Sequence, residues 1–280
     1  MKVSDGFNSE LTQRLDRLRL KFTKQVGGIS GGVRRSREKG SSNEFSDFRA
    51  YSDGDSLRYV DWNSYARLNK LFIKLYTEEK QTLVNVLMDC SASMDYEDKA
   101  YVSGLLAASL CYAALNGGDR ARLYTGNNSL SLSSKEELSK MLNCLDGIEY
   151  KGKFDILDTV KGANLNQRGR LIIISDCMYP TEEIEQAVKY AVYKKQELSL
   201  IMLTSSEENE PAISGSVALK DSETDDIINV EVSDNLIFAY KTALKNHRGK
   251  ISHFCRKYGV EFNSIRAEED FRQILIKVLA

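Results

Sequence analysis

Short apolar runs alternate with longer amphipathic stretches along most of this chain. Three runs have the length and composition of strands that are buried on both faces: residues 83–88 (LVNVLM), 171–175 (LIIIS) and 198–203 (LSLIML). Apolar residues at helical spacing lie between and after these runs, most clearly in residues 99–115 and 182–194. Strands that alternate with helices predict an α/β fold with a mostly parallel central sheet and helices on both faces.

This pattern is Rossmann-like and doubly wound, and smaller segments are added to it. Residues 11–26 predict an amphipathic helix with basic residues opposite its apolar face. Residues 205–233 are acidic at first and then contain short strand candidates. We therefore predict an N-terminal extension, residues 1–80, packed on a main domain of residues 81–280 that includes a small β insertion at about 205–233.

Arg, Asp and aromatic residues are closely interleaved in the second half of this extension. Charged groups so near to Phe, Tyr and Trp require partners, and the candidate pairs join Arg49, Arg58 or Arg67 to Asp55 or Asp61. Such pairs indicate either a structural clamp or a binding face.

The first buried run ends in alternating side chains that bear oxygen. Asp89, Ser91 and Ser93 follow residue 88, and Asp176 follows the second run in the same way. Ligands of open α/β sheets bind at the carboxyl ends of the strands, and Asp and Ser oxygens suit Mg²⁺ or Mn²⁺. The same residue types are ordinary helix N-caps, so the Asp89 loop alone leaves a cation site and a simple cap both open.

Composition narrows the class of protein. The chain has 280 residues, 42% hydrophobic and 28% charged, and its net charge of −1 disfavours a nucleic-acid binder. It has neither an apolar run of transmembrane length nor a signal-peptide core, and its five cysteines form no C-x-x-C pair. We therefore expect a cytoplasmic protein with reduced thiols, no nucleic-acid partner and no stable membrane insertion. The two histidines, His247 and His253, fall in a polar helical stretch, which disfavours His-dependent catalysis.

With Asp89-x-Ser91-x-Ser93 and Asp176 at strand ends, the chain resembles the von Willebrand factor type A fold, whose members bind Mg²⁺ or Mn²⁺ at a metal-ion-dependent adhesion site. More specifically, it resembles the bacterial family called domain of unknown function 58, partners of MoxR-type AAA+ ATPases. Three stretches carry the likeness: residues 44–67 with EFSDFR, GD and DW, the Asp89 loop, and residues 219–234 with LKDSE.

This resemblance implies roles for individual residues. Asp89, Ser91 and Ser93 match the metal-holding residues of the first loop, and Asp176 matches a later aspartate that binds the metal directly or through water. We therefore expect a metal site made of these four residues, with Mg²⁺ or Mn²⁺ as its ion.

One position departs from the family pattern. A Gly-Gly-Thr-Asp turn is expected between the two loops, and the corresponding residues 152–155 read GKFD, so Phe154 stands at the threonine position. The resemblance thus implies weakened metal binding, unless Asp155 or Thr159 compensates.

Incomplete coordination of such an ion leaves room for an acidic side chain of another protein. The expected function is a non-enzymatic interaction module, an adaptor for a MoxR-type AAA+ ATPase that assembles or remodels an unidentified client protein. One alternative is a metal-free scaffold of the same fold. The other is a metal-dependent phosphoester hydrolase with Asp89 as nucleophile, but Ser91 stands where a haloacid-dehalogenase-like phosphatase needs a second Asp. Cys90 and Cys177 adjoin the expected ligands and are read as small buried side chains.

Overall fold

The computed structural model describes residues 1–17, 43–78, 81–126, 128–224 and 226–279. The chain divides into two compact units, one made of Met1–Lys24 with Thr82–Ala280 and the other of Gln25–Gln81. The helix predicted for residues 11–26 is present as far as residue 17, and its remainder lies outside the described residues. The domain boundary predicted at residues 80 and 81, and the packing of the extension, stay predictions.

The strands of the described residues are, in chain order, β1 (Asn43–Ala50), β2 (Phe72–Glu78), β3 (Leu83–Met88), β4 (Arg120–Thr125), β5 (Asn128–Leu132), β6 (Gly169–Ser175), β7 (Glu197–Thr204), β8 (Gly215–Lys220), β9 (Ile227–Val232) and β10 (Glu261–Arg266). The helices are α1 (Val3–Gly6), α2 (Ser9–Arg17), α3 (Trp62–Leu68), α4 (Lys99–Asn116), α5 (Leu138–Asp146), α6 (Ile156–Gly162), α7 (Thr181–Tyr193), α8 (Ser206–Asn209), α9 (Asp234–Lys257) and α10 (Phe271–Leu279). Short 3₁₀ helices cover Leu57–Tyr59, Ala92–Asp95 and Lys135–Glu137.

A six-stranded sheet with the order β10-β7-β6-β3-β4-β5 is the centre of the larger unit. Neighbouring strands run parallel except at one edge, where β5 pairs antiparallel with β4. The predicted α/β class with a mostly parallel central sheet is confirmed. The three predicted buried strands are β3, β6 and β7.

Helices cover both faces of this sheet because its central strands alternate between two apolar clusters. In β3, for example, Val86 and Met88 join one cluster and Leu87 joins the other. The first cluster includes residues of α1, α2, α4, α5 and α10, and the second includes residues of α6, α7 and α9. Strands buried on both faces need the continuous apolar runs that the sequence contains.

The connections of the sheet diverge between β3 and β6. The chain leaves β3 through α4 on one face and returns to the sheet as β4, whereas it leaves β6 through α7 on the other face and returns as β7. The loops after β3 and β6 therefore lie side by side at the carboxyl ends of these neighbouring strands, where the connections diverge. This topological switch point is where open α/β sheets bind ligands.

Two further features complete the larger unit. Strands β8 and β9 form an antiparallel hairpin between α8 and α9. Helix α4 is buried along most of its length.

Within the part of the chain that the structure describes, no helix has both the length and the apolarity needed to cross a bilayer.

The smaller unit contains a ribbon of β1 and β2, paired antiparallel with an irregularity between Phe45 and Asp47. Arg49 donates to Asp55 at 2.8 Å, so one of the predicted pairs is present. Asp61 caps α3 by accepting from the Asn63 N–H. The Arg49–Asp55 pair is partly exposed and adds little stability by itself.

Candidate functional site

Asp89 and Asp176 occupy equivalent places at the ends of adjacent parallel strands, one after β3 and the other after β6. The Asp89 N–H donates to the Ile174 carbonyl at 2.9 Å, which extends the pairing of these strands by one bond. Both carboxylates are fully buried. The fold thus brings the two predicted aspartates to the switch point of the sheet.

Ser91 and Ser93 lie between these carboxylates. Ser91 Oγ donates to Asp89 Oδ1 at 2.6 Å, and Ser93 Oγ donates to Asp176 Oδ2 at 2.7 Å. The two hydroxyl oxygens are 3.0 Å apart. All four predicted site residues therefore form one continuous row of oxygens, which we call the oxygen row.

The protons of this row are too few for its contacts. A serine hydroxyl has one proton, and charge-assisted bonds to the carboxylates use the protons of both Ser91 and Ser93. When both carboxylates are ionised, the three contacts along the row share two hydroxyl protons, so one of these contacts has no proton. Neighbouring ligand oxygens of octahedral Mg²⁺ are about 3.0 Å apart, which is close to the spacing along the row.

Asp89 is held by chain donors on both of its oxygens. Oδ1 also accepts from the Ser91 N–H at 2.8 Å, and Oδ2 accepts from Ser175 Oγ at 2.8 Å and from the Tyr179 hydroxyl. Burial raises the pKa of Asp89, bonds from Ser91 and Tyr179 oppose this shift, and the charge of Asp176 adds to it. Because its lone pairs are used, Asp89 serves to orient Ser91 and to supply negative charge.

Asp176 accepts from fewer donors than Asp89 does. Its Oδ1 accepts from the Met178 N–H at 3.1 Å, in a turn where Cys177 has the left-handed φ of 56°. Its Oδ2 accepts from Ser93 and lies 3.4 Å from the Lys99 ammonium. Asp176 thus presents one oxygen to the row.

Lys99, the first residue of α4, is a fully buried cation beside the site. Its ammonium pairs with Asp176 and with Glu208 of α8, whose second oxygen accepts from the Ser205 N–H. When all are ionised, Asp89, Asp176 and Glu208 carry two more negative charges than Lys99 neutralises. Buried charges without compensation are costly, so this deficit favours an additional cation.

The sequence patterns did not indicate four further residues of the site: Lys99, Ser175, Tyr179 and Glu208. Ser175 and Tyr179 lie within three residues of Asp176, so their proximity to a predicted ligand was a usable signal. A lysine at the start of an otherwise apolar helix was a weaker signal for Lys99. Nothing local marks Glu208, because its contact with Lys99 spans 109 residues.

Phe154 borders the site without contributing an oxygen. It is buried, and its ring centroid lies 6.1 Å from that of Tyr179. The Gly152 carbonyl accepts from the Ala92 N–H at 3.0 Å, which fastens this loop to the Asp89 loop. Asp155 accepts from the Asp158 N–H, and Thr159 donates to the Asp155 carbonyl, so both residues act at the start of α6.

The donor set fits a hard cation. Within the described ranges, no three Asp, Glu, His or Cys side chains lie close enough to share one metal ion. The row instead combines carboxylate and hydroxyl oxygens, which suit Mg²⁺ or Mn²⁺ ions that keep part of their water. Burial raises the pKa of Cys90 to about 12 and that of Cys177 well above its usual value, so neither supplies a thiolate.

A family model described as "Protein of unknown function DUF58" matches residues 47–250, which is more than half of the chain. The chain belongs to the DUF58 family. This confirms the family that the sequence motifs indicated. Among the relatives of this chain, uncharacterized protein Rv1480 of Mycobacterium tuberculosis is 20% identical over 294 residues, covering 100% of this chain and 92% of the relative. Uncharacterized protein Mb1516 of Mycobacterium bovis matches to the same extent.

Two solved structures are more distantly similar to this DUF58 chain. The conserved hypothetical protein BatB from Bacteroides thetaiotaomicron is 13% identical with a TM-score of 0.41, covering 70% of this chain and 97% of that one. An aerotolerance-related membrane protein from Bacteroides fragilis is 12% identical with a TM-score of 0.40, covering 70% and 98%.

Proposed function

We propose that this DUF58 chain is a non-enzymatic protein-interaction module, von Willebrand factor type A-like in its metal site. It binds an acidic side chain of a partner through Mg²⁺ or Mn²⁺ held at the oxygen row. The observation that carries the proposal is the close row of two hydroxyls between two buried carboxylates, whose three contacts share only two hydroxyl protons when both carboxylates are ionised. A cation at the row offsets the negative charge of the two carboxylates.

Each residue of the row has a distinct part in this proposal. Ser91 Oγ, Ser93 Oγ and Asp176 Oδ2 would hold the ion, and Asp89 orients the Ser91 hydroxyl. When bound, the ion supplies positive charge and an open position for a carboxylate. Ser93 is half-buried, so a partner approaches the row on its side.

The proposed partner is a MoxR-type AAA+ ATPase, with this chain as its adaptor toward a client protein. The family membership and the motifs of residues 44–67 motivate this partner. Large apolar side chains with 40 to 73% exposure support an interaction role: Ile227, Ile228, Leu236, Phe238 and Tyr240.

A catalytic role has less support. Asp89 is the nucleophile of the hydrolase alternative, and both of its carboxylate oxygens already accept hydrogen bonds, from Ser91, Ser175 and Tyr179. His247 bonds the Cys177 carbonyl at 2.7 Å. We therefore keep the proposal non-enzymatic.

A metal-free scaffold of the same fold is the second candidate. Lys99 already places one positive charge on Asp176, and Phe154 supplies no ligand atom to the row. In this case the Lys99 ammonium alone would offset the negative charge of the row's carboxylates.

The adaptor proposal is tested by the affinity of the purified chain for the MoxR-type ATPase of the same organism. Mg²⁺ stays constant because the ATPase needs it for nucleotide, and the site is altered by Ser93→Ala. The matched control is Ser109→Ala, whose hydroxyl donates to the Leu105 carbonyl inside α4. Biolayer interferometry should show about tenfold or more weaker binding for Ser93→Ala and unchanged binding for Ser109→Ala.

Two results would contradict this part of the account. Equal affinities of the wild type and Ser93→Ala would separate partner binding from the oxygen row. Failure of the wild type to bind the ATPase would remove the proposed partner.

A further inference from the structure

Glu223 has an unusual environment in the turn that joins β8 to β9. Among the described residues of this turn, Asp221, Ser222, Thr224 and Asp226 are exposed, whereas the Glu223 side chain is only 24% exposed. The Asp221 carboxylate accepts from the Glu223 N–H at 2.7 Å and from the Thr224 N–H at 3.0 Å. This local Asx-turn fixes the backbone that aims Glu223 inward.

The Glu223 side chain reaches the loop that borders the oxygen row. Its Oε2 lies 3.8 Å from the Lys153 ammonium. Lys153 is flanked by Gly152, bonded to Ala92 between the two serines, and by Phe154, packed near Tyr179. The two residues next to Lys153 in the chain therefore each contact a residue that adjoins the oxygen row.

The pKa of Glu223 is shifted by its burial and by the charged residues around it. Burial raises the pKa of Glu223, Lys153 opposes this shift, and the charges of Asp221, Asp176 and Asp89 raise it further. Glu223 thus places a further negative charge beside Lys153, in the loop that borders the row.

We propose that Glu223 is a third acidic group of the cation site and strengthens cation binding from the hairpin. This inference rests on the proposed function. Because no three carboxylates among the described residues are near enough to share an ion, Glu223 acts through the water that Mg²⁺ or Mn²⁺ retains. The hairpin is then part of the site.

The test is a calorimetric titration of Mn²⁺ into the metal-stripped full chain, comparing wild type, Glu223→Gln and Asp226→Asn. The control removes the same charge from an exposed position of the same turn. We expect Glu223→Gln to weaken Mn²⁺ binding about fivefold or more, and Asp226→Asn to change it by less than about twofold. Equal effects of the two variants, or no effect of Glu223→Gln, would overturn the inference and leave the proposed function standing.

Thermal melting without metal gives a second readout. The folded-state pKa of Glu223 is raised, so its ionisation costs stability as the pH rises through that value, and Gln removes this cost at neutral pH. We expect Glu223→Gln to melt at a higher temperature than the wild type and Asp226→Asn to melt unchanged. A lower melting temperature would make Glu223 a simple partner of Lys153 and overturn the inference. A wild type that binds no Mn²⁺ would instead refute the cation site itself.

Discussion

Ser91 and Ser93 have one hydroxyl proton each, and their hydroxyls lie between two buried carboxylates. Lys99 places its ammonium on Asp176 and Glu208, not at the contact of the two serines. The residues of the row therefore offer lone pairs and negative charge to a small, hard cation. A neutral molecule bound at the row would leave the excess negative charge of Asp89, Asp176 and Glu208 without compensation.

Phe154 gives a residue-scale prediction. Phe154→Thr introduces a hydroxyl beside the row, and Phe154→Val provides a control of the same shape without it. Both variants should lose about 3 kcal/mol of unfolding free energy in urea, because a buried ring becomes a small side chain. Calorimetry should find about fivefold tighter Mn²⁺ binding for Thr than for Val. Equal affinities would mean that this position does not reach the ion.

Part of the site was predictable from local sequence, and part was not. Asp89, Ser91, Ser93 and Asp176 follow apolar strands directly, so their placement at one sheet edge follows from the α/β pattern. The bond of Tyr179 to Asp89 spans 90 residues, and it depends on how the loop after β6 turns at Cys177. Local patterns contain no information about such contacts.

At the scale of elements too, some strands were predictable from the sequence and others were not. Strands β3, β6 and β7 were predicted because burial on both faces demands continuous apolar residues. Strand β5 was not predicted, because it lies at the sheet edge and only Leu132 of it is buried. Edge strands face solvent on one side, so their apolar signal is weak.

Close pairing of β3 with β6 gives a prediction at this scale. Gly169 lies opposite Leu83, and a Cβ at this glycine would meet the Leu83 carbonyl oxygen at 2.3 Å. Gly169→Ala should therefore push the two strands apart and lower the unfolding free energy by about 2 kcal/mol. Gly162→Ala is the control, because nothing lies within 4 Å of its Cβ position. Urea denaturation measures both, and an unchanged Gly169→Ala would contradict the close approach.

Because β3 and β6 carry the two halves of the oxygen row, a shift between them also alters the site. Gly169→Ala should thus weaken Mn²⁺ binding as well, whereas Gly162→Ala should not.

For the whole molecule, the doubly wound topology explains why one edge of the sheet holds the site. The connections from β3 and β6 leave on opposite faces, so the carboxyl ends of these two strands form the topological switch point where open α/β sheets bind ligands. Glu208 and Glu223 come from separate segments that follow β7, and they bring negative charge to Lys99 and Lys153, respectively, beside the row. The net charge of −1 conceals this local concentration.

The central claim is that Ser91, Ser93 and Asp176 hold a divalent cation. Its most direct test is calorimetric titration of Mg²⁺ and Mn²⁺ into metal-stripped wild type, Ser93→Ala and Ser109→Ala, with thermal melting alongside. We predict binding and a higher melting temperature for the wild type and Ser109→Ala, and about tenfold or more weaker binding for Ser93→Ala. No heat and no thermal stabilisation of the wild type up to about 10 mM metal would contradict the claim and favour a metal-free scaffold balanced by Lys99.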